Sequence, residues 1–219
     1  MRAIFDQELE QVRDDLLQMS RHVADAIRDA STALTTGDLE LAERVIEADS
    51  VIDEFERVLD ERCVSLLARQ QPVATDLRVI VSALRMSSSI ERMGDLARHI
   101  AQVARLRFPD QVIPQSARPV FTDLADATIK VSQDVVQLLE SRDLQLASTV
   151  ERDDDLLDRL HAQTFQLTLA PSWEGTTEQT VDVTLLARFF ERFGDHAVSV
   201  ARRMTYLVTG EPAGSHGDI

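Results

Sequence analysis

The sequence predicts an all-α protein of two tandem, pseudo-symmetric three-helix bundles, six long antiparallel helices in all, and three observations carry that expectation. The chain repeats itself, since Glu91-Arg92-Met93-Gly94-Asp95-Leu96-Ala97 returns as Glu191-Arg192-Phe193-Gly194-Asp195-His196-Ala197 with five of seven positions identical. Apolar residues recur at steps of three and four over segments far longer than any strand. Composition agrees: hydrophobic residues make up 44%, aromatics only 5%, and just 7 Gly and 6 Pro interrupt the chain, which suits helix formers over strand formers.

A second echo fixes the register of the duplication. Over the sixteen positions from Asp38 to Asp53, seven are identical to Asp143–Asp158 at an offset of 105. The offset falls to 100 for the later block, so the loop between them is shorter in the second copy. Internal repetition of this kind sets the architecture before local detail does.

The elements follow in order. Phe5, Leu9, Val12, Leu16, Met19, Val23, Ala26 and Ala30 form a heptad seam, predicting one helix to about Thr35. Gly37-Asp38 supplies a stop and an N-cap. The second helix carries Leu41, Val45, Ala48, Ile52, Phe55, Leu59, Cys63 and Leu66 and ends near Gln71-Pro72. The third places Val79, Ala83, Met86, Ile90, Met93, Ala97, Ile100 and Ala104 on one face and closes at Phe108-Pro109. Three prolines between Pro109 and Pro119 mark a linker. The fourth helix is expected from about Pro119 to Glu140, and the fifth from the Asp143 cap to before Pro171. The sixth, about Gln179 to Val208, has the inner face Val183, Leu186, Phe190, Phe193, Ala197, Val200 and Met204. The expected division is therefore a first bundle over 1–108, a linker over 109–118, a second bundle over 119–209 and a polar, disordered tail over 210–219.

Charge and cysteine usage narrow the function. A net charge of −15 with Lys130 as the single lysine excludes a nucleic-acid partner, which would need clustered basic residues. Cys63 cannot form an internal disulfide and falls on an apolar stripe, so an inert buried thiol is expected. No apolar run reaches the ~20 residues of a transmembrane span. The N-terminal residues lack the apolar core of a signal peptide, and a cytoplasmic protein is expected, peripheral at the inner membrane at most through its partners. No P-loop, nucleotide-binding glycine cluster or Ser-His-Asp arrangement is present, so no catalytic residues are assigned.

The repeated acids are the candidate site. Glu91 and Asp95, and their copies Glu191 and Asp195, are spaced i and i+4, which stacks each pair on one helix face. Counting 100° per residue puts them nearly opposite the apolar stripe, so they are expected to face outward. The preceding helix of each half adds Asp49 and Asp53, or Asp154 and Asp158, placed at the side of its stripe. Glu56 follows in the first copy and His161 in the second, and His196 stands beside Asp195. Like charges about 6 Å apart repel by roughly 1–3 kcal/mol, and a bound hard cation offsets that, because carboxylate oxygens are its natural ligands. The expected ligands are Asp49, Asp53, Glu91, Asp95, Asp154, Asp158, Glu191 and Asp195, with Glu56, His161 and His196 as weaker candidates. The expected cofactor is a divalent or trivalent ion such as Mg, Mn, Fe or Zn. Surface ion pairs with Arg92 and Arg98 are the competing account of the same acids. Gly94 and Gly194, mid-helix between the acids, fit either a close helix crossing or an acidic groove that tolerates no side chain.

At these residues the chain resembles the PhoU family of phosphate-transport accessory regulators. The doubled Glu-Arg-x-Gly-Asp-x-Ala motif carries the resemblance. So do Asp49…Asp53 and Asp154…Asp158, and Asp76-Leu77-Arg78 at the start of the third helix. The likeness covers nearly the whole chain. It implies tandem three-helix bundles and a cytoplasmic, non-enzymatic regulator that restrains phosphate uptake and phosphate-starvation signalling. The implied partners are the ATPase subunit of the phosphate ABC importer, a phosphate-sensing histidine kinase and a second copy of the chain. It also implies metal on the acidic patches. Thr176-Thr177-Glu178 departs from Asp76-Leu77-Arg78, and His161 and His196 make the two patches unequal. Two rivals are a metal-free helical scaffold that dimerises through Leu77, Ile80, Val81 and Leu84, and a ferritin-like di-iron protein. The second lacks its Glu-x-x-His motifs here.

Overall fold

A computed structural model describes residues 2–211. It contains six helices: α1 (Arg2–Thr36), α2 (Leu39–Gln70), α3 (Ala74–Arg107), α4 (Arg118–Ser141), α5 (Leu144–Thr168) and α6 (Thr177–Thr209). No strand occurs among the described residues. The expected tail beyond Glu211 lies outside them.

The sequence places the breaks through local chemistry. Gly37 takes the left-handed conformation (φ +71°) that a residue with Cβ rarely adopts, and its N–H donates to the Ala33 carbonyl at 2.9 Å. Asp38 then accepts from the Leu41 N–H at 3.0 Å and opens α2. In the second copy Asp143 accepts from Gln145 N–H at 2.9 Å. Thr176 and Gln179 form a reciprocal capping box, which satisfies two orphan donors at once. That box starts α6 at Thr177, two residues before the position that apolar periodicity suggests.

α1, α2 and α3 pack mutually, as do α4, α5 and α6, and the two bundles join through α3 against α6 and α1 against α4. One hydrophobic cluster runs through both. Phe121 meets Phe190 edge-on with centroids 6.3 Å apart, and each such fully buried side chain contributes about 1.5–3 kcal/mol of transfer free energy. Between α3 and α4, Val112 and Ile113 are buried, so the proline-rich connection is pinned to the core. Arg107 of α3 donates to both oxygens of the buried Asp182 of α6, at 2.6 and 3.1 Å, and ties the bundles together at one end.

Two seams differ from the expected ones. On α1, Ile27 is fully buried while Ala26 is only partly so. A straight helix of 3.6 residues per turn drifts off a strict heptad, so the buried column has moved by one residue after three repeats. On α2 the buried residues are Ala42, Val45, Asp49, Ile52, Leu59, Cys63 and Leu66, and Ala48 is exposed. The seam is thus the pair of columns 42–49–56–63 and 45–52–59–66. Asp49 and Glu56 stand in the seam itself, not beside it. α5 repeats the arrangement, with Asp154 and His161 in the column after Ala147 and Leu157 in its partner column.

Candidate functional site

Acidic side chains at seam positions meet the acids of the following helix. α2 carries Asp49, Asp53 and Glu56 against Glu91 and Asp95 of α3. α5 carries Asp154, Asp158 and His161 against Glu191 and Asp195 of α6. The outward orientation expected for Glu91, Asp95, Glu191 and Asp195 holds only for Asp195. The Glu91 and Asp95 side chains are mostly covered, and Asp49, expected beside its stripe, lies inside the seam. Asp49 is only 5% exposed and Glu191 8%, while Asp53, Asp158 and Asp195 do face solvent. The apolar stripe of α3 is not its only covered face, because α1, α2 and α6 all pack on it. The same crowding buries Ile80 completely and leaves Leu77 the most open member of the apolar set Leu77, Ile80, Val81 and Leu84.

In the first patch, arginines neutralise much of the charge. Arg92 reaches Asp95 at 2.8 Å and Glu91 at 3.5 Å, and Arg98 contacts both Asp95 and Asp49, the latter at 3.0 Å. Burial nevertheless pushes the Glu91 carboxyl up to about 7, helped by Asp95, Glu56 and Asp53 and opposed by Arg92. Burial likewise raises Asp49, against the opposing charge of Arg98. Glu56 is raised by burial and then by Asp60, with Arg92 opposing.

The second patch lacks this relief. The counterpart of Arg98 is Val198, and among the described residues Arg192 makes no ion pair. Only Arg188 contacts Glu191; no motif had singled out Arg188, although its i−3 spacing to Glu191 is visible in the sequence. Burial, followed by Asp158, Asp195 and Glu191, pushes Asp154 up to about 7. Glu191 is raised by burial and Asp195. Asp154 Oδ1, Glu191 Oε2 and His161 Nε2 are all buried without a hydrogen-bond partner. Burial and Arg188 lower the pKa of His161, which favours its neutral, ligating form. His196 is also lowered, by burial and then Arg192.

The two glycines resolve differently. A Cβ at Gly94 would stand 2.9 Å from Ile52 Cδ1, so Gly94 serves a close crossing of α3 over α2. A Cβ at Gly194 would run into the Asp154 carboxylate and come within 2.7 Å of Leu157 Cδ1. Gly194 therefore makes the space that lets Asp154 lie inside the seam.

Uncompensated buried polar atoms are costly, about 1–3 kcal/mol each, and two oxygens with one imidazole nitrogen form a donor set suited to Mn, Fe or Zn. In the conformation described, no group of three or more His, Cys, Asp or Glu stands close enough to hold an ion among the described residues. Loading would need rotation of exposed carboxylates such as Asp158 and Asp195 toward the buried ones. Cys63 plays no part: it is fully buried, and burial pushes its thiol up to about 12.

Tandem three-helix bundles with an acid pair on each central helix, faced by seam acids of its neighbour, define a class of duplicated helical proteins. The comparisons place it: a family model described as the PhoU domain matches residues 16–104 and 121–204, and the chain belongs to that family. It is 38% identical to phosphate-specific transport system accessory protein PhoU homolog 1 of Mycobacterium leprae, over 96% of this chain and 95% of the relative. To homolog 2 of Mycobacterium tuberculosis it is 37% identical, over 96% and 99%. The crystal structure of PhoU from Pseudomonas aeruginosa superposes with a TM-score of 0.89 at 32% identity, covering 94% of this chain and all of that one. The Streptococcus pneumoniae structure shares the fold, with a TM-score of 0.83 at 23% identity. No helix among the described residues is long and apolar enough to cross a membrane.

Proposed function

We propose that the chain regulates phosphate transport, restraining uptake and phosphate-starvation signalling when phosphate is plentiful, through acidic patches that take up metal ions. The family supports the phosphate context, since the relatives bear that role in their names. Partners consistent with it are the ATPase subunit of a phosphate importer, a phosphate-sensing histidine kinase and a second copy of the chain.

One observation carries the metal reading: Asp154 Oδ1, Glu191 Oε2 and His161 Nε2 are buried at one helix seam with nothing bonded to them. The fit is better in the second patch than in the first, where Arg92 and Arg98 already occupy Asp95 and Asp49. An ion in the second patch would neutralise the crowded carboxylates and fix the surface charge that a basic partner face reads. The residues that would hold it are Asp154, Glu191 and His161, completed by Asp158 and Asp195. The first-patch set Asp49, Asp53, Glu56, Glu91 and Asp95 would bind more weakly.

The test compares cells carrying the wild-type protein with cells carrying Asp154→Asn/Glu191→Gln, at high phosphate. Derepression of starvation genes by a variant that is still folded and abundant is the expected outcome. Full repression by that variant overturns the role of the patch. A metal-free scaffold is the second reading, and no ready-made ligand cluster stands among the described residues. Protein purified without chelators distinguishes the two readings by its metal content.

A further inference from the structure

Between α3 and α6, next to the acidic patches and sharing Arg92 and His196 with them but none of their carboxylates, lies an open cleft of about 460 Å³ lined by Arg85, Arg92 and Arg203, by Ser88, Ser89 and Ser199, and by His196. The chain has 38 acidic residues against 23 basic ones, yet no carboxylate lines this cleft. Among the described residues Arg85 and Arg203 form no ion pair, although Arg203 is half-buried. Arg92 alone is shared, holding Asp95 at 2.8 Å on its other side. Guanidinium groups gathered without counter-charge repel one another, and an anion offsets that repulsion.

The internal repeat supplies an independent control. The 100-residue offset carries Ser89 to Phe189 and Ser199 back to His99, and in that copy the two rings pack with centroids 5.3 Å apart. The same offset turns Arg85 into Leu185, Arg203 into Val103 and His196 into Leu96. Ser88 maps to Arg188 and Arg92 to Arg192, so the pseudo-symmetric position keeps two arginines but is filled by the ring pair, whereas this one carries three arginines and has been emptied of bulk. Solubility alone accounts for neither change, because the chain already carries a large acidic excess and the serines remove packing volume.

We propose that this cleft is a binding site for the phosphate group of a small molecule, either inorganic phosphate or a nucleotide. Arg85 and Arg203 would supply charge-assisted hydrogen bonds and Ser88 a free hydroxyl. Ser89 and Ser199 donate to the carbonyls of Arg85 and Asp195, so their main contribution is space. The volume lies in the range of small-ligand sites, roughly 300–1,000 Å³, and planar guanidinium forks match phosphate geometry. This inference goes beyond the metal reading and does not depend on it, since no seam acid lines the cleft.

Isothermal titration of the full chain in EDTA, with inorganic phosphate in one arm and ATP in the other, provides the test. Saturable binding of one anion per chain is expected. Arg85→Gln/Arg203→Gln should weaken it on the order of a hundredfold, a factor of about ten for each charged hydrogen-bond partner lost. Ser89→Phe keeps every charge and installs the bulk found in the other copy, and it should abolish binding while leaving helicity intact. ATP at least tenfold tighter than phosphate identifies the source as a nucleotide; comparable affinities identify it as free phosphate. No saturable binding in either arm, or unchanged affinity in folded Ser89→Phe, overturns the proposal.

Discussion

Replacing Asp154 by Asn should stabilise the metal-free protein at neutral and alkaline pH. In the native seam this carboxyl is pushed from 3.8 to about 7 by burial and by Asp158, Asp195 and Glu191. The sign follows from proton binding: the native state keeps a proton that the unfolded chain has already released. The corresponding stability is fully present below pH 3.8 and has been lost once pH passes about 7. At 1.36 kcal/mol per pKa unit the full loss is about 4 kcal/mol, and solvent screening of this half-buried group reduces it to roughly 2 kcal/mol. Asn keeps the shape of the neutral acid without the charge. Its advantage should be small near pH 4, grow up to pH 7 and stay flat above. For a chain of this length 2 kcal/mol raises Tm by about 4–8 °C, which melts followed by circular dichroism in EDTA resolve easily. A lower Tm for Asp154→Asn at pH 8, or an offset independent of pH, would show that the carboxylate has a structural partner and refute the reasoning.

Other substitutions test neighbouring parts of the account. Gly94→Ala and Gly194→Ala, which on an open helix would gain about 1 kcal/mol, should instead cost roughly 1–3 kcal/mol because the added methyl meets Ile52 or Leu157; urea unfolding gives the sign. Arg98→Ala strands the buried Asp49 and should destabilise the protein by about 2 kcal/mol at pH 7. It should also strengthen Mn²⁺ binding at the first patch, and both effects are measurable in one titration series. Cys63 should react with a thiol reagent only at the rate of unfolding, since it is fully buried with its thiol pushed up to about 12; rapid labelling of native protein contradicts this.

Helix number, order and ends were legible because they are local. Gly37-Asp38, Pro72, Phe108-Pro109 and the Asp143 cap each act within a few residues of themselves, and the duplication supplied the pairing of halves. The rotation of each helix about its axis was less legible. On α2 the apolar residues Leu41, Ala48 and Phe55 made as regular a stripe as Ala42, Asp49 and Glu56. Only the packing of α3 against α2 showed that the acidic column is the inner one. For the same reason Glu91 and Glu191 read as outward-facing: the apolar stripe reports one packed face, and the central helices have three. The inequality of the patches was partly readable in His161 and His196, but its main cause is Val198 standing where Arg98 stands. The cleft of Arg85 and Arg203 left no motif at all, because its residues come from two helices and differ between the repeats. Comparing the copies for their mismatches would have found it.

The central claim is that the second seam binds metal through buried acids, and calorimetric titration of chelator-stripped protein with Mn²⁺ at pH 7 tests it most directly. The account predicts saturable binding accompanied by proton release, because Asp154 and Glu191 must ionise fully to become ligands. It also predicts loss of that binding in Asp154→Asn/Glu191→Gln. Absence of binding by the wild-type chain, or equal binding by the variant, would contradict it.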